Sequence, residues 1–476
     1  MRKRLMVVSV GVATFALVAG IAAAGSDFGA QVQKSLQSKS NNLFGVAQPL
    51  LASSSTQVTQ AQAQADPTSL FTLAGGLKAR VVTSGVGGGD LDQIGFWPSD
   101  KDPQWLIECN EEDPTKPGLQ RINVATGEVD TIVTGTSRCD PVRVTPWGSI
   151  LFAEEAGAGP TGGHLYEMLD PIGTTGVALD RTTGTFSGGT GASNLVDRGS
   201  VGMLSFEGLA VYASGLMYYS DESRPLNGNA GGAYYKFIPD HPRPAGSGPI
   251  TSLDQSPLVS GSIYGLRVGA YSGNTDYGQG TSTGFGTWQP VCSGGACSNI
   301  DLRPLGLSSH LTGFYRPEDA AVDPAQAAMG YVRVCWTNTG NEENGQDWGE
   351  VLCFTDGAGQ DALTNSAVPE VQRLVEGSPA LAMPDNVDFQ PKTGNLLIDE
   401  DADTGYLTPH NNDIWDCLPD GSDPDLQSDG CVRVATLNDL TAEWTGGTFT
   451  SDGKHYYVSI QHNVSGASVV IDITGW

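Results

Sequence analysis

The chain has 476 residues, of which 53 are acidic and 25 basic, giving a formal net charge of −28. A negative surplus of this size repels a phosphate backbone and excludes nucleic acid as a partner. Glycine (63 residues) and proline (27) are frequent, whereas charged residues make up only 16%, which is not the composition of a long helix or coiled coil. Short apolar runs between glycine-rich turns, with 9 Trp, 14 Tyr and 14 Phe, favour an all-β protein with a packed core.

The N-terminus has the pattern of an export signal. Basic residues at 2–4 precede an apolar run of small residues that ends in the alanines at 22–24. We expect residues 1–24 to be a cleaved signal peptide, which predicts a periplasmic or secreted protein. An uncleaved anchor is the alternative, because the run is long enough to span a bilayer. No later stretch is as apolar, so no membrane span is expected after cleavage.

The next segment, residues 25–66, is rich in Ser, Gln and Ala and poor in aromatic residues. This composition predicts a flexible low-complexity tether. A short amphipathic helix within residues 28–51 is the alternative. The remaining residues, 67–476, are then expected to form one domain.

Eight cysteines in an exported chain indicate disulfides. Cys109 and Cys139 could pair with each other, or one of them could serve as a metal-binding thiolate. The CxxC spacing of a structural zinc site is absent. The expected local pairs are Cys292 with Cys297, Cys335 with Cys353, and Cys417 with Cys431.

An internal repeat organises residues beyond the tether. Five copies share an acidic opening, a turn and an apolar strand that ends in further acids, and a weaker sixth copy opens near Asp92. Asp140 and Glu154 are 14 residues apart, as are Glu207 and Asp221, and Asp385 and Asp399. About four strands repeated about six times predict a six-bladed β-propeller over residues 67–476.

In such a propeller, equivalent residues of the innermost strands lie on one ring around the channel. That ring is predicted to hold Asp140, Glu207, Glu318 and Asp385. A second group is expected at the strand ends: Glu154, Glu155, Asp221, Asp399, Glu400 and Asp401. One such acid could simply cap a turn, but acids recurring at one register would repel each other and require cations. Oxygen ligands suit Ca²⁺, Mn²⁺ or Fe³⁺, and only six histidines disfavour a zinc site.

An ordered set of motifs runs along residues 90 to 465: the TPWG run from Thr145 with Glu154-Glu155, the EGLAV run at Glu207, Arg316-Pro-Glu318, Pro384-Asp385-Asn386, and the C-terminal run from Trp444 to Gln461-His462. Together these motifs resemble the PhoX-type alkaline phosphatases. The resemblance implies an exported six-bladed propeller whose channel holds iron and calcium ions that hydrolyse phosphate esters.

The resemblance also implies roles for individual residues. Cys139 matches an iron-binding cysteine, Glu154 and Glu155 match paired calcium ligands, and Arg316 matches the arginine that grips the phosphate. Glu207, Glu318 and Asp385 match metal-bridging carboxylates. Asp399 and Glu400 are further predicted metal ligands. Secondary candidates are Asp140, Asp221, Glu222, Asp401, Gln461 and His462.

The sequence therefore predicts an exported, monomeric phosphomonoesterase that uses Ca²⁺ and Fe³⁺ and takes phosphate monoesters as substrates. The guanidinium of Arg316 would bind phosphate through paired planar donors, while cations neutralise its charge. One alternative is a non-catalytic, calcium-stabilised secreted propeller that acts as a binding or surface protein. Another is a different propeller hydrolase, such as a lactonase or a phytase; the scarcity of basic residues near the acidic motifs disfavours the phytase.

Overall fold

The computed structural model describes residues 32–157, 159, 161–225, 231–270, 282–340, 347–402, 410–421 and 425–476. The predicted signal peptide, residues 1–24, lies outside the described residues. The fold is all-β, as predicted, and no helix among the described residues is long and apolar enough to cross a membrane. Residues 32–38 are helical, and the further short α-helices are α1 (Ser40–Leu43), α2 (Gln60–Ala65), α3 (Leu302–Ser308), α4 (Pro324–Ala328) and α5 (Gly359–Leu363).

The described residues form 28 strands in five sheets. In chain order the strands are β1 (Phe71–Leu73), β2 (Lys78–Ser84), β3 (Leu91–Trp97), β4 (Trp105–Asn110), β5 (Pro117–Asn123), β6 (Val129–Thr134), β7 (Cys139–Val144), β8 (Ile150–Glu154), β9 (Leu165–Met168), β10 (Val177–Asp180), β11 (Thr185–Ser187), β12 (Leu195–Asp197), β13 (Phe206–Val211), β14 (Met217–Asp221), β15 (Tyr234–Pro239), β16 (Gly261–Val268), β17 (Gly284–Ser293), β18 (Pro317–Val322), β19 (Tyr331–Asn338), β20 (Glu350–Ala358), β21 (Glu370–Glu376), β22 (Pro384–Phe389), β23 (Leu396–Glu400), β24 (Asp413–Cys417), β25 (Cys431–Leu437), β26 (Glu443–Phe449), β27 (His455–Gln461) and β28 (Val469–Thr474).

The sheets are arranged like the blades of a propeller. Their strand orders are β11-β10-β6-β5-β4-β3, β12-β9-β8-β7, β13-β14-β15-β16-β17-β21-β20-β19-β18, β1-β25-β24-β23-β22 and β2-β28-β27-β26. We call β3, β7, β13, β18, β22 and β26 the inner strands; each lies at a sheet end and contacts the next around a closed ring. The nine-stranded sheet supplies two of them because β17 pairs with β21. The prediction of a propeller-like all-β fold is confirmed.

Every inner strand pairs with the following strand, and the pairing is interrupted near its start by a register shift. The shifts lie between Leu91 and Ile94, Cys139 and Val142, Phe206 and Leu209, Pro317 and Ala320, Pro384 and Val387, and Thr445 and Thr448. A β-bulge releases residues from the ladder and changes the direction of their side chains. Five of the six bulges contain an acid as their first residue: Asp92, Asp140, Glu207, Glu318 and Asp385.

The N-terminal segment packs onto the propeller instead of forming a tether. Phe44 and Val46 are 2% and 0% exposed and join a core cluster with residues of β25 to β28. The Ser53 hydroxyl donates to Asp413 Oδ1 at 2.9 Å, and the Leu50 amide donates to the Arg433 carbonyl at 2.9 Å. The expectation of a flexible tether is therefore wrong for residues 32–66, because their scattered apolar side chains fill a groove between two sheets.

Four disulfides contain all eight cysteines. The three predicted local pairs are confirmed, and two of them tie neighbouring strands, β19 to β20 and β24 to β25. The fourth disulfide, Cys109–Cys139, joins β4 to β7 and so connects two adjacent sheets.

Candidate active site

One end of the channel opens into a cavity of about 400 Å³ that we call the acidic cavity. Its lining includes three arginines, Arg138, Arg224 and Arg316, together with Gln461 and His462. Ten carboxylates line the same space: Asp92, Glu111, Asp140, Glu155, Glu207, Glu222, Glu318, Asp385, Asp401 and Glu443. Ten acids against three arginines leave a large excess of negative charge in a small volume.

Nine of the ten carboxylates reach the cavity by two structural routes, and the tenth, Glu443, is the first residue of the inner strand β26. The first route is the bulge at the start of an inner strand. In the second, the residue just after the adjacent strand donates its amide to the residue just before the inner strand, which turns the chain inward. These bonds join Glu111 to the Asp90 carbonyl (2.7 Å), Glu155 to Arg138 (2.8 Å), Glu222 to Ser205 (3.0 Å) and Asp401 to Met383 (2.9 Å).

Most of the residues predicted from the sequence meet here. Arg316 and the predicted ligands Glu155, Glu207, Glu318 and Asp385 line the acidic cavity. So do the following secondary candidates: Asp140, Glu222, Asp401, Gln461 and His462.

Glu154 does not face the cavity. Its side chain is fully buried, accepts hydrogen bonds from the amide of Ser137 (2.8 Å) and the hydroxyl of Tyr166 (3.1 Å), and pairs with Arg181 Nε at 2.7 Å. Asp221 occupies the equivalent position and binds Arg303 at 2.7 Å. Adjacent residues of a strand point to opposite faces, so the prediction of Glu154 and Asp221 as site residues is wrong, whereas the next residue in each case faces the cavity.

Asp399 and Glu400 also point away from the acidic cavity. Asp399 accepts the Tyr456 hydroxyl at 2.9 Å, and Glu400 accepts the Trp415 indole N–H at 3.0 Å. Glu400 pairs with Pro384, the first residue of β22, and Glu154 pairs with Cys139, the first residue of β7. Glu400 is therefore the counterpart of Glu154, because the turn between β22 and β23 is one residue longer than the turn between β7 and β8. The equal 14-residue spacing therefore aligned the wrong acid, and Asp401 takes the cavity position.

Glu400 has a different neighbourhood that could hold a cation. Its carboxylate, one His410 ring nitrogen and an Asp413 carboxylate oxygen lie within 4.8 Å of one another. Asp413 is also paired with Arg433, whose guanidinium supplies positive charge to the same group. This group lies outside the lining of the acidic cavity.

The structure adds residues that the sequence reasoning missed. Glu111 stands immediately after β4, as Glu155 stands after β8, so the second structural route predicts it once the strand ends are known. Asp92 was seen only as the start of a weak repeat, and Glu443 precedes the Trp444 at which the last repeat was placed. The position of Arg138 also indicates a site residue, because Arg138 immediately precedes β7 as Arg316 immediately precedes β18.

Burial and the charges of neighbouring carboxylates both raise the pKa values of carboxyl groups in the cavity. Burial, reinforced by the charges of Asp319 and Asp401, raises the pKa of Asp92 to about 7. Burial and the charge of Glu222 raise the pKa of Glu155 to about 7 as well. The pKa values of Glu207 and Asp385 are raised for the same two reasons, burial first and neighbouring carboxylates second.

The donor set fits hard cations. The carboxyl groups of Asp140 and Glu207, of Glu111 and Glu155, and of Asp401 and Glu443 are close neighbours in pairs. Two close, buried carboxyl groups cannot both ionise unless a cation lies between them. Gln461 Oε1 is buried and has no hydrogen-bond partner among the described residues. An uncompensated buried oxygen beside paired carboxylates is what an oxygen-ligating cation would satisfy.

Arg316 is held in the cavity by three carboxylates. Its Nε lies 2.8 Å from Glu222 Oε1 and 3.2 Å from Glu318 Oε1, and an Nη lies 3.9 Å from Asp401. The Arg316 backbone has φ 49°, and its carbonyl accepts the Thr339 amide at 3.0 Å. Although burial acts to raise it, the Arg316 charge holds the pKa of Glu222 below its ordinary value. The guanidinium is thus fixed in position over the acids.

The opposite end of the channel has a different character. A larger cavity of about 870 Å³ is lined mainly by apolar residues such as Phe96, Leu209 and Phe449. Between the two cavities, Arg143 pairs with Asp319 and donates to the carbonyls of Leu209 and Ala320, each at 3.2 Å. The Arg143–Asp319 pair links the inner strands β7 and β18 at this part of the channel.

Comparison with protein-family models gives a match to the alkaline phosphatase PhoX family over residues 113–463. The chain belongs to the PhoX alkaline phosphatase family. The matched region contains every residue of the acidic cavity except Asp92 and Glu111. Membership of the PhoX family confirms the prediction that the protein is a phosphatase, and it decides against the non-catalytic propeller.

One solved structure of this family has a similar fold. PhoX of Pseudomonas fluorescens, in complex with the transition-state analogue vanadate, is 17% identical, with a TM-score of 0.61 over 90% of this chain and 98% of the other. The Xanthomonas campestris gluconolactonase XC5397 (12% identity, 88% and 94% coverage) and the Streptomyces coelicolor aldose sugar dehydrogenase (10%, 85% and 99%) have TM-scores of 0.40 and 0.42. No curated protein matches the sequence.

One predicted residue of the PhoX resemblance requires correction. Cys139 is bonded to Cys109 and is fully buried, so its sulfur is not a thiolate and does not serve as an iron ligand in this structure. Its neighbour Asp140 lies in the bulge and faces the acidic cavity. The ligands available in the described lining are therefore oxygen atoms together with the His462 ring.

Proposed function

We propose that the protein is an exported, metal-dependent phosphomonoesterase whose acidic cavity holds a Ca²⁺ and Fe³⁺ cluster in the channel of a six-bladed propeller. The observation that carries the proposal is the convergence of ten carboxylates and Arg316 on one cavity in a chain of the PhoX family. Each of the six inner strands would begin one blade. Four disulfides support an oxidising compartment such as the periplasm or the exterior.

The residues suited to holding the cations are the bulge acids and the acids that follow the strands. Asp140, Glu207, Glu318 and Asp385 present carboxylates from four different inner strands, and Glu155 adds one from a strand end. Such an oxygen-rich set suits Ca²⁺ and Fe³⁺ without sulfur. When bound, the cations would withdraw charge from the phosphoryl oxygens and lower the barrier to hydrolysis.

Arg316 would bind and orient the phosphate monoester. Its contacts with Glu222 and Glu318 fix the guanidinium plane, so the fork is held ready and loses little entropy on binding. Hydrogen bonds from a fixed guanidinium strengthen as negative charge develops on the phosphoryl oxygens in the transition state. Substrate would enter the acidic cavity at the end of the channel that this cavity occupies.

The test is hydrolysis of 4-nitrophenyl phosphate by the purified protein loaded with calcium and iron, between neutral and alkaline pH. We expect release of inorganic phosphate, and a loss of metal and of activity together in Glu207→Gln. Glu128→Gln, an exposed acid outside the cavity, is the matched control and is expected to retain both. A folded, metal-loaded protein that releases no phosphate would show the proposal to be wrong.

A further inference from the structure

Arg138 is the structural counterpart of Arg316 in another inner-strand unit. Each arginine immediately precedes an inner strand, and each has a left-handed backbone, with φ 47° for Arg138 and 49° for Arg316. The carbonyl of Arg138 accepts the amide of Glu155, as the carbonyl of Arg316 accepts that of Thr339. Left-handed backbone is uncommon for residues other than glycine and often marks a functional position. Both side chains line the acidic cavity.

The two guanidinium groups differ in their exposure and in the number of carboxylates that they contact. Arg316 is 15% exposed and is in contact with three carboxylates. The side chain of Arg138 is 49% exposed, and its ion contact among the described residues is with Glu155, at 3.4 Å from Nε. The described part of the chain gives its guanidinium no hydrogen bond. Arg138 therefore presents a planar fork of donors at the rim of the cavity.

Glu155 places the two arginines in one electrostatic neighbourhood. Its carboxylate lies 3.4 Å from the Arg138 Nε and lines the same cavity of about 400 Å³ as Arg138 and Arg316. A phosphate held by Arg316 would thus have Arg138 on the side where the cavity opens, which is where the alcohol part of an ester has to lie. A guanidinium fork in that place matches a second phosphate or a carboxylate.

We propose that Arg138 is a specificity-determining residue that binds a second anionic group on the alcohol part of the substrate. The substrate class is phosphomonoesters whose alcohol carries a carboxylate or another phosphate. This inference rests on the proposed phosphomonoesterase function. Arg138 would then have a role different from that of Arg316, which would bind the phosphate to be cleaved.

The test compares 3-phosphoglycerate with glycerol 3-phosphate, since the two differ by one carboxylate in place of a hydroxymethyl group. The measured quantity is the ratio of their kcat/KM values. We expect the metal-loaded protein to prefer 3-phosphoglycerate, and Arg138→Asn to lower the ratio about three- to tenfold, as for a partly exposed charged contact. Asparagine tolerates a left-handed backbone. Arg138→Lys, which keeps the charge and loses the fork, is expected to give an intermediate ratio.

Arg80→Gln is the matched control, because the Arg80 side chain is also 49% exposed and pairs with one acid, Asp472, on an outer strand. It should leave the ratio unchanged. If both esters are hydrolysed and the ratio of their kcat/KM values is the same in the native protein and in Arg138→Asn, this inference is wrong. The proposed phosphomonoesterase function would not be affected by that result. Hydrolysis of neither ester by the metal-loaded protein would overturn both.

Discussion

At the scale of single residues, the proposed function depends most on Arg316, which would bind the phosphate. Arg316→Asn removes the guanidinium while tolerating the left-handed backbone at φ 49°. We expect kcat/KM for an aryl phosphate to fall about 10²- to 10³-fold, equivalent to about 2.7–4 kcal/mol of transition-state stabilisation. Steady-state kinetics with a metal assay on the same sample measures this. An unchanged kcat/KM with metal content intact would remove Arg316 from the reaction.

His164 provides a titrating group outside the acidic cavity. Its Nδ1 lies 2.9 Å from Asp197 Oδ2. Although burial acts to lower it, the hydrogen bond and charge of Asp197 raise the pKa of His164 above 6.5. The contribution of protonated His164 to the stability of the fold is therefore fully present below its unfolded pKa of about 6.5. It is lost as pH rises through the higher pKa that His164 has in the folded protein.

The corresponding prediction concerns His164→Gln. The difference in unfolding free energy between the native protein and this variant should narrow as pH rises from about 6 to about 9. Denaturant melts at a series of pH values measure it, with the exposed His241→Gln as the control. A difference that stays constant, or that widens with pH, would contradict this assignment.

At the scale of elements, the strand ends decide which acids face the channel. The sequence was sufficient to predict recurring acids at one register, and Asp140, Glu207, Glu318 and Asp385 do converge. It could not show that each lies in a bulge, because a bulge depends on pairing with the next strand. Nor could it choose between adjacent acids such as Glu154 and Glu155, since one residue of register reverses the face.

The N-terminal segment shows a different limit of sequence reasoning. Its Ser, Gln and Ala content is typical of a linker, yet a few apolar residues suffice once a groove between sheets is available. Such tertiary packing is invisible in local composition, because the residues that bury Phe44 lie in β25 to β28, hundreds of positions away.

Packing of this segment leads to a stability prediction. Phe44→Ala should lower the unfolding free energy by about 3–5 kcal/mol, as expected for a buried Phe. Leu51→Ala, at a side chain that is 74% exposed, should change it by less than about 0.5 kcal/mol. Equal and small effects in both variants, measured by denaturant unfolding, would mean that the segment does not contribute to the fold in solution.

The Arg143–Asp319 pair links inner strands across the channel. Asp319 is 3% exposed, and its second oxygen accepts the amide of Val387 in β22. Arg143→Met would leave that carboxylate buried without its partner and should cost about 3 kcal/mol of stability. Lys454→Met, which breaks an exposed pair with Asp452, should cost less than about 1 kcal/mol. Similar losses in unfolding free energy in the two variants would contradict a stabilising role for the buried Arg143–Asp319 pair.

At the scale of the whole molecule, the negative charge is distributed unevenly. The formal net charge is −28, and ten carboxylates are concentrated in one cavity of about 400 Å³. An acidic outer surface favours solubility, whereas the concentrated acids oppose folding unless they are neutralised. Cations in the acidic cavity would thus serve both stability and the hydrolysis of phosphate esters.

The most direct test of this account is elemental analysis of the folded protein after gel filtration, purified from its native host. We predict that calcium and iron remain bound, and that Asp385→Asn, which removes one bulge carboxylate, lowers the bound metal together with phosphatase activity. A folded protein that hydrolyses phosphate esters while retaining no cation would contradict the account.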